Sequence, residues 1–243
     1  IGHPVLLERD YRRAYLWRIT AAQVTCWLLA GLGALAIILW AVRRQDVLHL
    51  LLGLGAFAFS ARMLHYFVQV PFVSADLFWW VAVASLPWTL VLSFLFAYRY
   101  YGLRHPYVER LLIGVALLCT IIIFPGVGFD AYSAASTIYI LLSPIGLMTA
   151  ALLMQRAWLQ RGAPQILLAV GIGFNYFFAI HDLLVMTRVV SFEHPYLMPV
   201  GAGLLFLCFT LALGARYIDS LQEVEQLNRS LEQRPNKRPM LSD

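Results

Sequence analysis

The stretch that decides the fold is LMPVGAGLLFLCFTLALGARYIDSLQEVEQLNRSLEQ, which runs from Leu197 to Gln233. Its first half is apolar and long enough to cross a membrane, since a hydrocarbon core about 30 Å thick needs about 20 apolar residues. Its second half is charged and contains neither glycine nor proline after Arg216. The pattern predicts one helix that leaves the membrane and continues into an aqueous compartment.

The composition of the whole chain is that of an integral membrane protein. Hydrophobic residues make up 61% of the 243 residues, charged residues make up 13%, and the mean hydropathy is +0.73. Short loops separate seven apolar stretches, and we expect an all-α bundle with spans at 22–42, 47–70, 77–98, 108–124, 131–155, 163–187 and 196–217. These spans use nearly all of the length, so we expect no catalytic domain in this chain.

The remaining residues predict three further segments. Residues 1–20 carry arginines and aromatic residues, which is typical of an extracytoplasmic linker or an interfacial helix. After the bundle at 21–217, residues 218–234 are expected to form a signalling-helix linker, and residues 235–243 a tail that is disordered or vector-derived. Because the chain begins with an isoleucine, we expect it to be a piece of a longer protein.

Arginines are concentrated in alternate loops. The loops after spans one, three and five carry Arg43, Arg44, Arg99, Arg104, Arg110, Arg156 and Arg161, whereas those after spans two, four and six carry Arg188. By the positive-inside rule, the first set of loops faces the cytoplasm. We therefore expect the N-terminus outside and the C-terminus inside, although the arginines of the N-terminal tail favour the opposite orientation when counted alone.

Other residue types argue against several classes of function. Cys26, Cys119 and Cys208 lie inside spans without C-x-x-C spacing, so we expect packing residues and neither a redox site, a metal site nor another cofactor. Basic residues form no clustered face, so we expect no nucleic-acid partner. No lysine lies in any span, which excludes a retinal Schiff base.

Two spans carry polar residues that cannot face lipid: Arg62, His65, Tyr66 and Gln69 in span two, and Asn175, His181 and Asp182 in span six. The first four are spaced i, i+3, i+4 and i+7, which predicts a single helical face. An unpaired arginine inside a membrane is costly. We therefore expect Arg62 to pair with Asp182 and the two histidines to flank this pair.

Three interpretations of this polar cluster stay open. The first is a hydrogen-bonded staple that only holds the bundle together. The second is a pocket that binds an unknown small molecule or senses protons, because histidine titrates near pH 6.5 and is easily perturbed by a neighbouring charge. The third is a metal site made by His65, His181 and Asp182, although no ligand-spacing motif accompanies them.

Glycine and proline residues inside the spans have simpler explanations. The G-x-G pairs at 31–33, 53–55 and 171–173 are expected to allow close helix packing rather than to bind a ligand. Pro87 and Pro144 lie inside spans three and five, where each frees a backbone carbonyl and permits a bend.

The charged half of the last stretch has a heptad-like pattern with two registers. One register runs through Leu221, Val224, Asn228 and Leu231, and the other through Tyr217, Val224, Leu227 and Leu231. A signalling coiled coil exchanges two such registers, and the pattern predicts a parallel homodimer. The alternative is a solvated helical tail that pairs with nothing.

Three motifs resemble a known family of receptors: HDLL at 181–184, PYLMP at 195–199 and EVEQLNRSLEQ at 223–233. They resemble the bacterial 7TMR-DISM family, seven-helix receptors with diverse intracellular signalling modules. The resemblance implies an inner-membrane receptor in which an extracytoplasmic sensory domain precedes the bundle and an output enzyme follows the linker. It implies a histidine kinase of a two-component system, with a diguanylate cyclase as second choice.

The sequence therefore predicts the transmembrane sensor module of a signalling receptor, with no catalytic residues of its own. It would relay a ligand or proton signal through its last helix to an output domain absent from this chain. A competing interpretation is a small transporter or proton-coupled membrane protein that uses the same polar cluster, and a third is a passive membrane anchor. The lack of internal repeats and of paired broken helices argues against transport.

Overall fold

In a computed structural model, the chain forms an all-α bundle over the residues that the structure describes, namely 12, 15–42, 44, 46–127, 129–191 and 195–232. Its long helices are α1 Ala21–Val42, α2 Val47–Phe67, α3 Ala75–Tyr100, α4 Pro106–Ile122, α5 Ala131–Gln160, α6 Ala163–Met186 and α7 Met198–Glu232. A π-helical turn, Leu16–Thr20, leads into α1. The predicted all-α class is confirmed, and the rest of the predicted N-terminal linker and the tail at 235–243 lie outside the described residues.

Six of these helices are long and apolar enough to cross a membrane, and α4 is the exception. It has 17 residues, which correspond to about 25 Å at 1.5 Å per residue, close to the lower limit for a crossing. Leu111 and Leu118 on α4 are exposed, as expected for a helix whose outer face meets lipid. The chain is therefore a membrane protein with six candidate spans and a shorter seventh helix in the place of predicted span four.

The helices pack as a ring. α1 packs against α2, α2 against α3, α3 against α5, α5 against α6, and α6 against α7, while α7 closes the ring on α1 and α2. α4 packs against α3. Two ends can then be distinguished: a distal end, made by the loops that follow α2, α4 and α6, and a linker end, made by the loops that follow α1, α3 and α5.

Glycines permit the closest helix contacts. A Cβ atom on Gly53 would lie 3.0 Å from the carbonyl oxygen of Gly33, and one on Gly171 would lie 2.7 Å from Cβ of Cys208. The first contact joins α1 to α2 and the second joins α6 to α7. The predicted packing role is confirmed for these three glycines, whereas Gly31 faces open space.

The proline in α5 is compensated locally. Pro144 has no N–H to donate to the carbonyl of Ile140, one turn earlier in the helix. The hydroxyl of Ser143 donates to that carbonyl instead, at 2.9 Å. The freed backbone group is thus satisfied within the same helix, as the apolar surroundings of a membrane require.

The last helix has a buried half and an exposed half. Residues such as Ala202, Phe206 and Phe209 are almost completely buried in the bundle. From residue 216 to residue 230 every side chain is exposed. The helix is continuous across this change, so the predicted extension of the last span beyond the bundle is confirmed.

Candidate functional site

Arg62 joins three helices near the distal end. It is only 6% exposed. Its Nη1 donates to the carbonyl of Ala82 in α3 at 3.1 Å, and its Nη2 donates to the hydroxyl of Tyr139 in α5. The guanidinium carbon also lies 4.9 Å from the centre of the Tyr139 ring, a cation–π distance. Its Nε has no hydrogen-bond partner within the described part of the chain.

Asp182 joins α6 to the start of α7. This carboxylate is 8% exposed and accepts hydrogen bonds from the backbone N–H groups of Leu197 at 2.8 Å and Met198 at 2.9 Å. Nδ1 of His181 lies 3.0 Å from the Asp182 carboxylate. A negative charge at a helix N-terminus satisfies N–H groups that have no partner within the helix and interacts favourably with the helix dipole. Asp182 is therefore the N-terminal cap of α7, supplied by the preceding helix.

The predicted direct pair of Arg62 with Asp182 is wrong. The guanidinium of Arg62 is directed to α3 and α5, whereas the carboxylate of Asp182 is taken by the backbone of α7. The physical reason is the ring order, in which α7 packs against both α2 and α6.

His65 and Tyr66, which were also predicted on this face of α2, belong to an aromatic cluster. His65 has Nδ1 next to the carbonyl of Arg62, and its ring lies 4.0 Å from the ring of Tyr66 and 6.2 Å from that of Trp79. Tyr66 in turn lies 5.5 Å from Tyr196, just before α7. The structure therefore gathers Arg62, His65 and Tyr66 at one place, next to the start of α7.

Gln69 does not share the predicted helical face. α2 ends at Phe67, and the next residue, Val68, has an extended backbone. Gln69 is exposed in the loop that follows. Pro71 limits how far α2 could continue, because a proline disfavours helical backbone at Val70, the residue before it, and cannot donate an N–H to the carbonyl of Phe67. The predicted i+7 position is therefore no longer on the helix, and the placement of Gln69 in the cluster is wrong.

The metal interpretation of the cluster has no geometric support. Among the residues that the structure describes, no three histidine, cysteine, aspartate or glutamate side chains are placed to hold a metal ion. His65 is surrounded by aromatic rings, while His181 and Asp182 contact each other at the cap of α7.

A partly open cavity of about 110 Å³ adjoins these polar groups. It lies mainly between α3, α5, α6 and α7, and most of its lining is apolar. Its polar lining side chains are Thr89, Ser93, Tyr139, Ser143, Thr149, Asn175 and Tyr176. The hydroxyls of Thr89, Ser143, Thr149 and Tyr176 each donate to a backbone carbonyl. By contrast, Ser93 Oγ and Asn175 Nδ2 have no partner among the described residues.

Two residues connect the cavity to the buried charges. Tyr139 lines the cavity and holds Arg62 through its hydroxyl. Met198 also lines the cavity, and its N–H is held by Asp182. Asn175, which the sequence singled out, lies in the cavity wall. Cavity, Arg62 and Asp182 thus form one continuous site that touches the first residue of α7.

Sequence reasoning missed Ser93 and Tyr139, although a signal was present. Thr89 and Ser93 are spaced i, i+4 in α3, as are Tyr139 and Ser143 in α5, so each pair marks a polar strip on one helical face. Hydroxyl residues are common in membrane helices, where they bond to their own backbone. A hydroxyl residue that instead bonds to another helix or lines a cavity therefore does not stand out in the sequence.

At the linker end, two tyrosines at the end of α3, Tyr100 and Tyr101, hold the neighbouring helices. The Tyr100 hydroxyl donates to the carbonyl of Ala212 in α7 at 3.0 Å, and the Tyr101 hydroxyl donates to the carbonyl of Gln165 in α6 at 2.9 Å. Burial raises the pKa of Tyr101, which follows α3, to about 12. This hydroxyl therefore keeps its proton, and its hydrogen bond, throughout the neutral range.

Comparison with known proteins identifies one family. A family model described as 7TM diverse intracellular signalling matches residues 23–216. The match begins in α1 and ends where α7 leaves the bundle, so it includes the cavity and both buried charges. No curated protein and no solved structure matches the chain.

Proposed function

Because the chain belongs to the 7TM diverse intracellular signalling family, we propose that it is the transmembrane sensor module of a bacterial signalling receptor and relays its signal through α7. The output domain would follow the linker in the cytoplasm, and a histidine kinase is the output that we favour. In this proposal the chain relays the signal and carries out no catalytic step of its own.

The observation that carries the proposal is the course of α7. Its first residue, Met198, lines the cavity and is bonded to Asp182. Its 35 residues run on without a break, a length of about 50 Å at 1.5 Å per residue. A helix transmits a displacement of one end to the other, since its hydrogen bonds make it stiff. A change at the distal end would therefore reach the exposed half of the same helix.

The contacts of α7 suggest how it moves. At its start it is held by the Asp182 cap, and near the linker end it is held by the Tyr100 hydroxyl at Ala212. α6 packs closely on α7 where Gly171 meets Cys208 and where Gly201 meets Phe178. We propose that the two helices shift together against the rest of the ring, between two arrangements that differ little in free energy.

Exposed apolar residues on the second half of α7 favour a homodimer. Leu221, Val224 and Leu227 are 46%, 54% and 61% exposed in the single chain. They belong to the two heptad registers read from the sequence, together with Asn228 and Leu231. The side chain of Leu231 lies outside the described part of the chain. Pairing of two such helices would bury this row of side chains.

The arginine distribution supports the orientation. Arg44, Arg99, Arg104 and Arg161 all lie at or beside the linker end, where α7 leaves the bundle. We propose that this end faces the cytoplasm and that the distal end faces outward from the bacterial inner membrane. The stimulus, a small molecule or a proton, would then act from the outer side or from within the bilayer.

The proposal is tested by fusing residues 1–233 to a histidine kinase core and measuring autophosphorylation in membranes. Asp182→Asn removes the charge that caps α7 while preserving size, and should change kinase output several-fold. Asp130→Asn is the matched control, because Asp130 caps α5 at the same end but bonds within the first turn of its own helix. Equal output from both variants would overturn the relay. Solute flux into liposomes that hold this chain alone would favour the transporter instead.

A further inference from the structure

We infer that the cavity between α3, α5, α6 and α7 binds a small uncharged molecule with an apolar body and a single hydroxyl or carbonyl group. The effect of this binding on signalling rests on the proposed function. The binding itself can be measured without any output domain.

The size of the cavity limits the ligand. An apolar cavity of about 150 Å³ inside a protein takes up benzene. The cavity in this chain measures about 110 Å³, so it suits a ligand of roughly four to six non-hydrogen atoms. A short-chain alcohol has this size.

The charge of the lining limits the ligand further. No aspartate, glutamate, lysine, arginine or histidine is among the described residues that line the cavity. Burying an ionised ligand there would leave its charge without a counter-charge in apolar surroundings, which is strongly unfavourable. The ligand is therefore uncharged, and such molecules partition into the bilayer and reach the bundle from there.

The two unpartnered polar atoms define the polar end of the ligand. Ser93 Oγ and Asn175 Nδ2 belong to residues of the cavity wall, on α3 and α6, and neither has a partner in the described chain. Buried polar atoms in native proteins nearly always have one. The amide nitrogen needs an acceptor, and the serine hydroxyl can donate or accept. An oxygen atom on the ligand supplies a partner that either the amide of Asn175 or the hydroxyl of Ser93 lacks, whereas a pure hydrocarbon supplies none.

The position of the cavity gives binding a route to α7. Tyr139 and Met198 form part of its wall, and they are the residues that hold Arg62 and carry the capped N–H. A ligand that fills the cavity changes the packing of both, so it favours one arrangement of α6 and α7 over the other.

The test uses the full chain of 243 residues in lipid nanodiscs and a photoreactive three-carbon alcohol that carries a diazirine on its chain, six non-hydrogen atoms in all. Adducts are located by mass spectrometry after illumination. We expect them on cavity residues such as Tyr139, Tyr176 and Leu183. Excess 1-butanol should suppress them more than pentane, which has the same number of non-hydrogen atoms and no hydroxyl group.

Two variants test the site itself. Ala179→Leu fills the cavity and should abolish the adducts there, whereas Ala41→Leu, on an exposed face of α1, should leave them unchanged. Asn175→Leu removes the hydrogen-bond donor and should weaken labelling by about tenfold, the loss expected for one hydrogen bond to a buried group. Asn175→Leu also tests the site if the Ala179→Leu variant fails to fold.

Equal labelling of Ala179→Leu and Ala41→Leu, or adducts spread over lipid-facing residues, would overturn the inference. Equal competition by pentane and butanol would overturn the assignment of a polar end. Site-specific labelling combined with unchanged output from Asp182→Asn in the kinase fusion would leave the binding site standing and remove the relay.

Discussion

The two ends of the bundle hold their charges in different ways. At the linker end, Arg99 donates to both carboxylate oxygens of Glu109, at 2.9 and 2.7 Å, and this ion pair ties α4 to α3. At the distal end, Arg62 and Asp182 are buried and are not bonded to each other. Arg62 donates to a backbone carbonyl and a hydroxyl, and Asp182 contacts backbone N–H groups and His181.

We propose that the difference separates structural from functional use of charge. A bidentate arginine–carboxylate pair is satisfied on its own and holds two helices in one position. Arg62 and Asp182 depend on groups from α3, α5 and α7, so their electrostatic environment changes whenever these helices shift. An arrangement of this kind couples charge to helix position, which is what a sensor requires.

The largest effect on stability is expected at the cap of α7. Asp182→Ala leaves the buried N–H groups of Leu197 and Met198 without their acceptor, and should lower the free energy of unfolding by about 3 kcal/mol. Chemical unfolding in micelles measures it. Asp130→Ala, at the exposed cap of α5, should have a clearly smaller effect. Similar losses for both would mean that the two caps are equivalent.

The second prediction concerns the ion pair at the linker end. Glu109→Gln keeps the shape of the side chain but removes its charge, and should lower the free energy of unfolding by about 1 kcal/mol, since Arg99 is partly solvated. The side chains of Arg99 and Glu109 are 30% and 12% exposed. Added salt should reduce the difference between wild type and variant.

The chain offers a matched control for this pair. Glu225 and Arg229 lie 3.9 Å apart on the exposed half of α7, with side chains 69% and 77% exposed. Glu225→Gln should therefore leave the unfolding midpoint unchanged. A loss as large as that of Glu109→Gln would show that burial does not distinguish the two pairs.

The third prediction concerns Arg62, where stability and output should separate. Arg62→Met removes a buried charge together with its cost of desolvation, so we expect the free energy of unfolding to change by less than about 1 kcal/mol. In the kinase fusion, the same substitution should alter output, because Tyr139 loses its partner at the cavity. A variant that is strongly destabilised, or one that signals normally, would mean that Arg62, like Arg99, serves only to hold helices together.

Much of the fold could be predicted from the sequence, because apolar length is a local property. Helices α1 and α6 begin and end within one residue of their predicted bounds, 22–42 and 163–187. The termini that differ most, in α2 and α5, depend on where the chain turns. The continuity of α7 through Arg216 followed from the absence of glycine and proline after that residue.

The candidate site could be predicted only in part. A charged or amide side chain inside a span stands out in a sequence, which is how Arg62, Asn175 and Asp182 were found. Their partners are set by which helices become neighbours, and the order of helices in a ring cannot be read from the pattern of apolar and polar residues. Cavities arise from small mismatches in packing between helices. The position of Ser93 and Tyr139 in the cavity wall could therefore be seen only in the structure.

The smallest expected effect, on Asp130, sharpens the contrast between the two capping aspartates. Hydrogen bonds from the hydroxyl and then the backbone N–H of Ser133 lower the pKa of Asp130 from its ordinary value of 3.8. The ionised carboxylate therefore stabilises the folded state above the unfolded pKa, and this contribution is lost as the pH falls below 3.8. Asp130→Asn should lower the melting temperature slightly at neutral pH, and the difference from wild type should shrink in acid. A difference that stays constant into strong acid would mean that the charge of this exposed cap contributes nothing to stability, unlike the charge expected at the cap between α6 and α7.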